Sequence, residues 1–150
     1  MGYGGSAKAV IYALEKMGCA KVILWNRSFN KIKNLENFGN LKLLPKELKN
    51  KKFYIDSNTK LIINTIPTNI SCANIKKQSQ NIVKKEVFGY DLVYNKKTNF
   101  LDLFAPMKQI DGINLLVHQA APCFEKWFKI KPEINIDLFN LVYKKLSEIK

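Results

Sequence analysis

The 150 residues predict a doubly wound α/β fold whose mostly parallel sheet lacks its first strand. Three observations carry that expectation. Short apolar runs alternate with helically spaced segments, the runs are apolar throughout instead of at every second residue, and the chain opens directly on a glycine loop. A strand covered by helices on both faces has no solvent side, so its alternation disappears, as in a parallel sheet.

In chain order, Ser6 to Met17 sets Ala7, Val10, Ile11, Leu14 and Met17 at helical spacing, and Gly18 follows where a helix stops. Lys21 to Trp25 is a β-branched apolar run and predicts a buried strand. Asn26, Arg27 and Ser28 form a polar turn, and Phe29 to Phe38 predicts a second helix ending at Gly39. Leu41 to Asn58 reads as a weak edge strand and connecting structure, because Pro45 and many lysines interrupt it. Leu61 to Ile66 predicts a strand stopped by Pro67, a polar loop reaches about Gln80, and a short helix is expected near Ile82. Val87 to Val93 predicts the next strand.

The remaining segments predict helices. Asn99 to Ile110 places Phe100, Leu103, Phe104 and Met107 on one helical face. Leu115 to Phe128 aligns Leu116, Ala120, Phe124 and Phe128. After Pro132, Asp137 is the expected cap of a last helix whose stripe runs through Leu138, Leu141, Val142, the Lys145 stem and Ile149. The whole chain, 1–150, reads as one domain, with 47% hydrophobic residues supplying one core.

Composition narrows the function classes. No uncharged apolar run reaches the roughly 18 residues a membrane span needs, and no charged and apolar leader opens the chain, so the expected compartment is the cytoplasm. Cys19, Cys72 and Cys123 lack the paired spacing of a zinc site and read as reduced thiols; no metal is expected. The net charge of +13 raises nucleic acid as a partner, but the lysines are spread over every segment, as on solvated faces, so no nucleic-acid partner is expected. A basic surface still favours small anions, a phosphorylated cofactor among them.

Gly2-Tyr3-Gly4-Gly5-Ser6-Ala7 fits a dinucleotide-binding loop of the Rossmann-like kind, with alanine at the last position. Gly2 turns the chain, Gly4 lets the backbone approach a pyrophosphate, and Ala7 lets helix and sheet pack closely. Free amides from Gly5 and Ser6 onward then face an anion at the helix start. The same residues also fit a plain glycine loop opening a helix, and the motif demands a strand before it, where the chain offers only Met1.

The end of the following strand selects between cofactors, because a carboxylate there binds the ribose hydroxyls of NAD whereas arginine accommodates the 2′-phosphate of NADP. This chain has Asn26-Arg27-Ser28, with Lys31 one turn on. Arg27 is its only arginine, so the planar fork stands where lysine supplies every other basic charge. The alternative is an ordinary surface arginine.

Taken in order, these motifs resemble the shikimate dehydrogenases of aromatic amino-acid (chorismate) biosynthesis. The similarity runs through Gly2 to Ala9, Asn26-Arg27-Ser28 with Lys31, Asn64-Thr65-Ile66-Pro67, Asp91-Leu92-Val93-Tyr94-Asn95, and Gly112 with Leu116-Val117-His118-Gln119-Ala120-Ala121. The resemblance implies NADP as cofactor, held at Gly2, Gly4, Gly5, Ser6, Asn26, Arg27, Ser28 and Lys31, with Leu92 and Gly112 near the nicotinamide. It implies shikimate contacts at Tyr94 and Gln119; without it, these read as a half-buried aromatic at a strand end and a helix-surface amide. His118, the only histidine, is not expected to transfer protons, since no carboxylate or nucleophile adjoins it. Tyr3, Thr65-Ile66, Asn69, Asn114 and Leu115 depart from the family pattern, and Tyr3 is placed to crowd or stack on a cofactor.

The family's lysine and aspartate pair, which handles the proton of the reacting carbonyl, belongs to a substrate domain outside these residues. No catalytic residue is therefore expected in this chain, and shikimate or 3-dehydroshikimate would be met through that domain. A non-catalytic nucleotide-binding relic and a quinate/shikimate dehydrogenase fragment remain alternatives, and a basic nucleic-acid protein is a third. The absent first strand predicts an open slot in the sheet and marginal stability, because five or six buried residues at roughly 1.5–3 kcal/mol each rival a domain's net stability.

Overall fold

The computed structural model describes residues 1–48, 55, 58–66, 87–94 and 98–148. Pro67, Asn69, Cys72, the expected helix near Ile82, Asn95 and Ile149 lie outside the described residues.

Two three-stranded sheets form the centre of the fold. In the first, β1 (Lys21–Asn26) pairs in parallel with β3 (Leu41–Glu47), which pairs antiparallel with the two-residue β2 (Asn37–Phe38). In the second, β4 (Leu61–Asn64), β5 (Phe88–Asp91) and β6 (Gln109–Ile110) are all parallel. Met1 and Gly2 join the two sheets: Gly2 N–H donates to Trp25 O at 2.7 Å, the Met1 amine donates to Ile63 O at 2.5 Å, and Thr65 N–H donates to Met1 O at 3.0 Å. They act as the last two residues of a central strand, which completes the order β3-β1-(Met1–Gly2)-β4-β5-β6 of a doubly wound sheet. Among the described residues, β1 and β4 are bridged only by Met1 and Gly2. Alongside these two residues a cavity of about 390 Å³ runs between β1 and β4, beneath Ala7, Val10, Ile11 and Leu14.

The first helix, α1 (Gly5–Lys16), buries Ala7 and Ile11 and ends at Met17, before Gly18 at φ 75°. Met17 itself is 80% exposed and contributes nothing to the expected stripe. The Ile11 side packs with Leu24, Ile32, Leu41 and Leu43, while Val87, Phe100, Leu101 and Phe104 form a second core beside β4 and β5.

Three expected elements differ. Phe29–Phe38 is a single 3-10 turn (Phe29–Lys31) followed by β2, because Ile32 alone must be buried and Gly39, at φ 58°, turns the chain into a hairpin with β3. The expected weak edge strand is an interior strand of seven residues, with Leu41 and Leu43 fully covered and Pro45 lying opposite Leu24 in a parallel ladder. Pro45 has no N–H to give, and in this ladder its neighbours carry the pairing. Asn99–Ile110 is two 3-10 turns, Leu101–Leu103 and Pro106–Lys108, leading into β6. Proline at 106 breaks the helical run, leaving Met107 91% exposed while Phe100 and Phe104 stack edge to face at 5.1 Å.

Two helices close the chain, α2 (Ile113–Phe128) and α3 (Ile136–Glu148). Asn135, not Asp137, caps α3, its side-chain oxygen accepting Leu138 N–H at 3.0 Å. The face of α2 expected to be buried is covered only at its start: Ile113 and Val117 are buried, whereas Ala120, Phe124 and Phe128 are exposed. Among the described residues no helix is long and apolar enough to cross a membrane.

Candidate functional site

The C-terminal ends of β1, β4 and β5 form one rim, and the glycine loop rises between the first two. This is the edge at which open parallel sheets place ligands. At its centre Gly2 adopts φ 93°, and a Cβ there would stand 2.9 Å from the Thr65 hydroxyl and 3.2 Å from Ile66 Cγ1. Only glycine fits, since both the backbone angle and the space exclude a side chain.

Around Gly4 and Gly5 the reverse holds, because Cβ atoms at these positions would meet nothing within 4 Å. Gly4 caps α1 with no side-chain hydrogen bond, and no acidic residue stands in the first turn. The Gly5 and Ser6 amides thus open a helix whose positive dipole end faces outward with room for an anion. Ala7 is buried beneath them, as close helix-to-sheet packing requires. Tyr3 does not lie over the loop. It packs against the Ile11, Leu24 and Ile32 cluster, with the Lys8 ammonium 5.6 Å from its ring centre.

Asn26 ends β1, and its side-chain amide donates to Ser28 O at 2.9 Å, which folds the turn back on itself. Arg27 and Ser28 are exposed at this corner, and Lys31 is exposed at the end of the 3-10 turn, with its N–H donating to Ser28 O at 3.1 Å. The bond from Gly2 to Trp25 holds this corner beside the glycine loop. The turn Asn26-Arg27-Ser28 carries one guanidinium and no carboxylate.

On the other side of the rim, Asn64 and Asp91 stand opposite each other in the β4–β5 register, and both are buried. Asp91 Oδ1 accepts from Asn64 Nδ2 and from Val93 N–H, each at 3.1 Å, and its other oxygen accepts from the Thr98 hydroxyl. Asn64 Oδ1 accepts Ile66 N–H at 3.1 Å. One carboxylate therefore shapes the backbone leaving both strands. Sequence reasoning assigned these residues no role; the signal available was that two apolar runs, Leu61–Asn64 and Phe88–Asp91, each end on a polar residue at the same height.

Leu92 and Gly112 are brought into contact. Gly112 precedes α2 and donates its N–H to Val93 O at 3.3 Å, so the helix start abuts the chain leaving β5. Tyr94 is 43% exposed beyond this point, and Gln119 is exposed on α2. His118 packs its ring 6.2 Å from that of Phe139 on α3. Among the described residues no three histidine, cysteine, aspartate or glutamate side chains gather as metal ligands.

Comparison with known proteins settles the family. The chain is 32% identical, over 158 aligned positions, to the shikimate dehydrogenase (NADP(+)) of Bartonella tribocorum, an alignment covering 98% of this chain and 53% of that protein. The chain belongs to the shikimate dehydrogenase family. Proteins of the same name from Dictyoglomus turgidum and Caldicellulosiruptor saccharolyticus are 33% and 36% identical over 85% and 87% of this chain, and over 48% of their own lengths. The chain thus spans about half the length of the curated relatives it matches. No family model matches it. At two positions that depart from the expected pattern, Thr65 N–H and hydroxyl both donate to Met1 O, and Leu115 is half-buried in the first turn of α2.

Proposed function

We propose that this chain is the NADP-binding half of a shikimate dehydrogenase, serving the reversible reduction of 3-dehydroshikimate to shikimate by NADPH. The observation that supports this best is the pairing of an uncapped α1 N-terminus with the Asn26-Arg27-Ser28 corner, tied together by the 2.7 Å bond between Gly2 and Trp25. In this reading Gly2, Gly4, Gly5 and Ser6 receive the pyrophosphate through backbone amides. Arg27 grips the 2′-phosphate in a bidentate manner, helped by the Ser28 hydroxyl, the Asn26 amide and the Lys31 ammonium. Leu92 and Gly112 bound the nicotinamide, and Tyr94 and Gln119 reach the substrate from exposed positions.

When bound, the cofactor supplies the hydride. The residues of this chain supply orientation, charge neutralisation and an apolar wall. The proton-handling lysine and aspartate of the family are assigned to the substrate domain, so these 150 residues alone are expected to bind NADPH without turning substrate over. The test is a fluorescence titration of the isolated chain with NADPH and with NADH, followed by NADPH oxidation with 3-dehydroshikimate, with and without a family substrate domain fused ahead of Met1. Selective NADPH binding, with oxidation only in the fused protein, is expected. Equal or absent binding of both nucleotides overturns the reading.

A further inference from the structure

Asp111 stands where three elements meet. It follows β6, whose Ile110 is the ladder partner of Tyr90 in β5, and it precedes Gly112 and the start of α2. Its two carboxylate oxygens are divided between the last two helices: Oδ1 accepts Ile113 N–H at 3.0 Å, and Oδ2 accepts the Tyr143 hydroxyl of α3 at 2.7 Å. The first bond satisfies one of the amides that a helix start leaves without a partner, and a negative charge there suits the helix dipole. The second has no such local duty, since it joins residues 32 positions apart.

Gly112 lies between the sheet and this pair. Its N–H donates to Val93 O, its carbonyl oxygen accepts Leu116 N–H at 3.0 Å to begin α2, and a Cβ on it would run into the Leu92 carbonyl. The Asp111 side chain is the neighbouring anchor, so whatever holds Asp111 also limits how far Gly112 can retreat from Leu92. Phe139 and Tyr143 are four residues apart and therefore share one face of α3. That face meets α2 along its length, at His118 through the Phe139 ring, and at its entrance, at Asp111 through the Tyr143 hydroxyl. Together the two contacts fix the tilt of α2 as well as its distance from α3. The Arg27 corner is held separately, by the Asn26 side chain and by the bond from Gly2 to Trp25.

We propose that Tyr143 is a positioning residue for the nicotinamide end of the cofactor, a role that rests on the NADP reading: through Asp111 it holds Gly112 against Leu92. The hydroxyl touches neither cofactor nor substrate. It keeps the wall beside the nicotinamide in place, and the adenosine end, at Arg27, does not depend on it.

Two ligands separate the two ends. NADPH carries the nicotinamide, whereas 2′-phospho-ADP-ribose has the same adenosine, 2′-phosphate and pyrophosphate without it. Tyr143→Phe keeps the ring and removes only the hydroxyl. Titrated into the 150-residue chain, this variant is expected to bind NADPH roughly three- to tenfold more weakly, the worth of one hydrogen bond, and 2′-phospho-ADP-ribose as tightly as the unaltered chain does. A merely structural role would move both ligands together. Asp111→Ala should show the same selective loss, and Asp111→Asn, which keeps an oxygen for Ile113 N–H and a polar partner for the Tyr143 hydroxyl, should recover most of it. Equal weakening of both ligands, or unchanged NADPH binding in both Tyr143→Phe and Asp111→Ala, overturns the proposal. An unaltered chain that binds neither ligand overturns the NADP reading itself, and this role of Tyr143 with it.

Discussion

Gly112 lies so close above Leu92 that a Cβ on the glycine would stand 2.4 Å from the Leu92 carbonyl oxygen and 2.9 Å from the Val93 carbonyl carbon. The glycine's backbone, at φ −77°, suits any residue; the requirement is space. Gly112→Ala is therefore expected to push α2 from the end of β5 and to cost about 1–3 kcal/mol, as overpacking does. Denaturant unfolding measures the loss, and a cost near zero would show that the helix start shifts freely.

Asp91 is the second point of tension. Asp91→Ala leaves the Asn64 amide and the Val93 N–H without their acceptor, at about 1–3 kcal/mol for the buried Asn64 donor and less for the part-buried Val93 N–H. Asn64→Ala in the same background should then cost less than it does alone. A double-mutant cycle by chemical denaturation reads this coupling, expected at about 0.5 kcal/mol or more.

On the proposed reading, Arg27 is the residue that would separate the two cofactors. Arg27→Ala should weaken NADPH binding by roughly ten- to a hundredfold, the loss of a charged hydrogen-bonding pair at about 1.5–3 kcal/mol, and leave NADH binding little changed. Arg27→Lys keeps the charge but not the fork and should fall between. Fluorescence titration at fixed salt gives the comparison.

Tyr143 gives a pH signature. Its phenol is held up to about 12 by burial, by the hydrogen bond it donates to Asp111 Oδ2 at 2.7 Å, and by the nearby Asp111 charge. In the unfolded chain it ionises near 10. The sign follows: this contribution is intact below pH 10 and is lost as the pH rises from 10 toward 12, because the unfolded state releases its proton first. Ultraviolet titration should show Tyr143 ionising late together with Tyr90, which burial and the Asp111 charge also raise, and Tyr143→Phe should remove one equivalent of that late ionisation.

The Met1 amine gives the opposite sign at lower pH. Burial lowers its pKa from 8.0 to about 5, so between these values the unfolded chain takes up a proton that the folded chain refuses. In a chain retaining Met1, stability is full above pH 8 and falls as the pH drops toward 5, by an amount on the order of 4 kcal/mol. N-terminal acetylation keeps an N–H donor for Ile63 and removes the titration, so its pH profile should be flat across that window.

Elements set by local pattern were legible in the sequence. The apolar runs of β1, β4 and β5 and the stripes of α1 and α2 were found because a buried parallel strand or an amphipathic helix announces itself over a few residues. Phe29–Phe38 and Asn99–Ile110 misled for the same reason: Phe29, Ile32 and Leu35, like Phe100 and Phe104, recur at helical intervals yet reach their cores from short 3-10 turns and the residues flanking them. The interior strand β3 was disguised by Pro45 and its lysines, and only its partner β1 reveals it. The glycine loop opening α1 and the polar turn after β1 could be read directly as local structure. The Asn64–Asp91 contact could not, since it exists only once two strands 27 residues apart are in register.

That contact has a mechanical corollary. The backbone at Ile66 hangs from the Asn64 side chain and that at Val93 from Asp91, while the two side chains hold each other. The two strand exits are thus linked in series by three hydrogen bonds through one carboxamide and one carboxylate, so a displacement imposed at either is expected to reach the other along this margin of the rim.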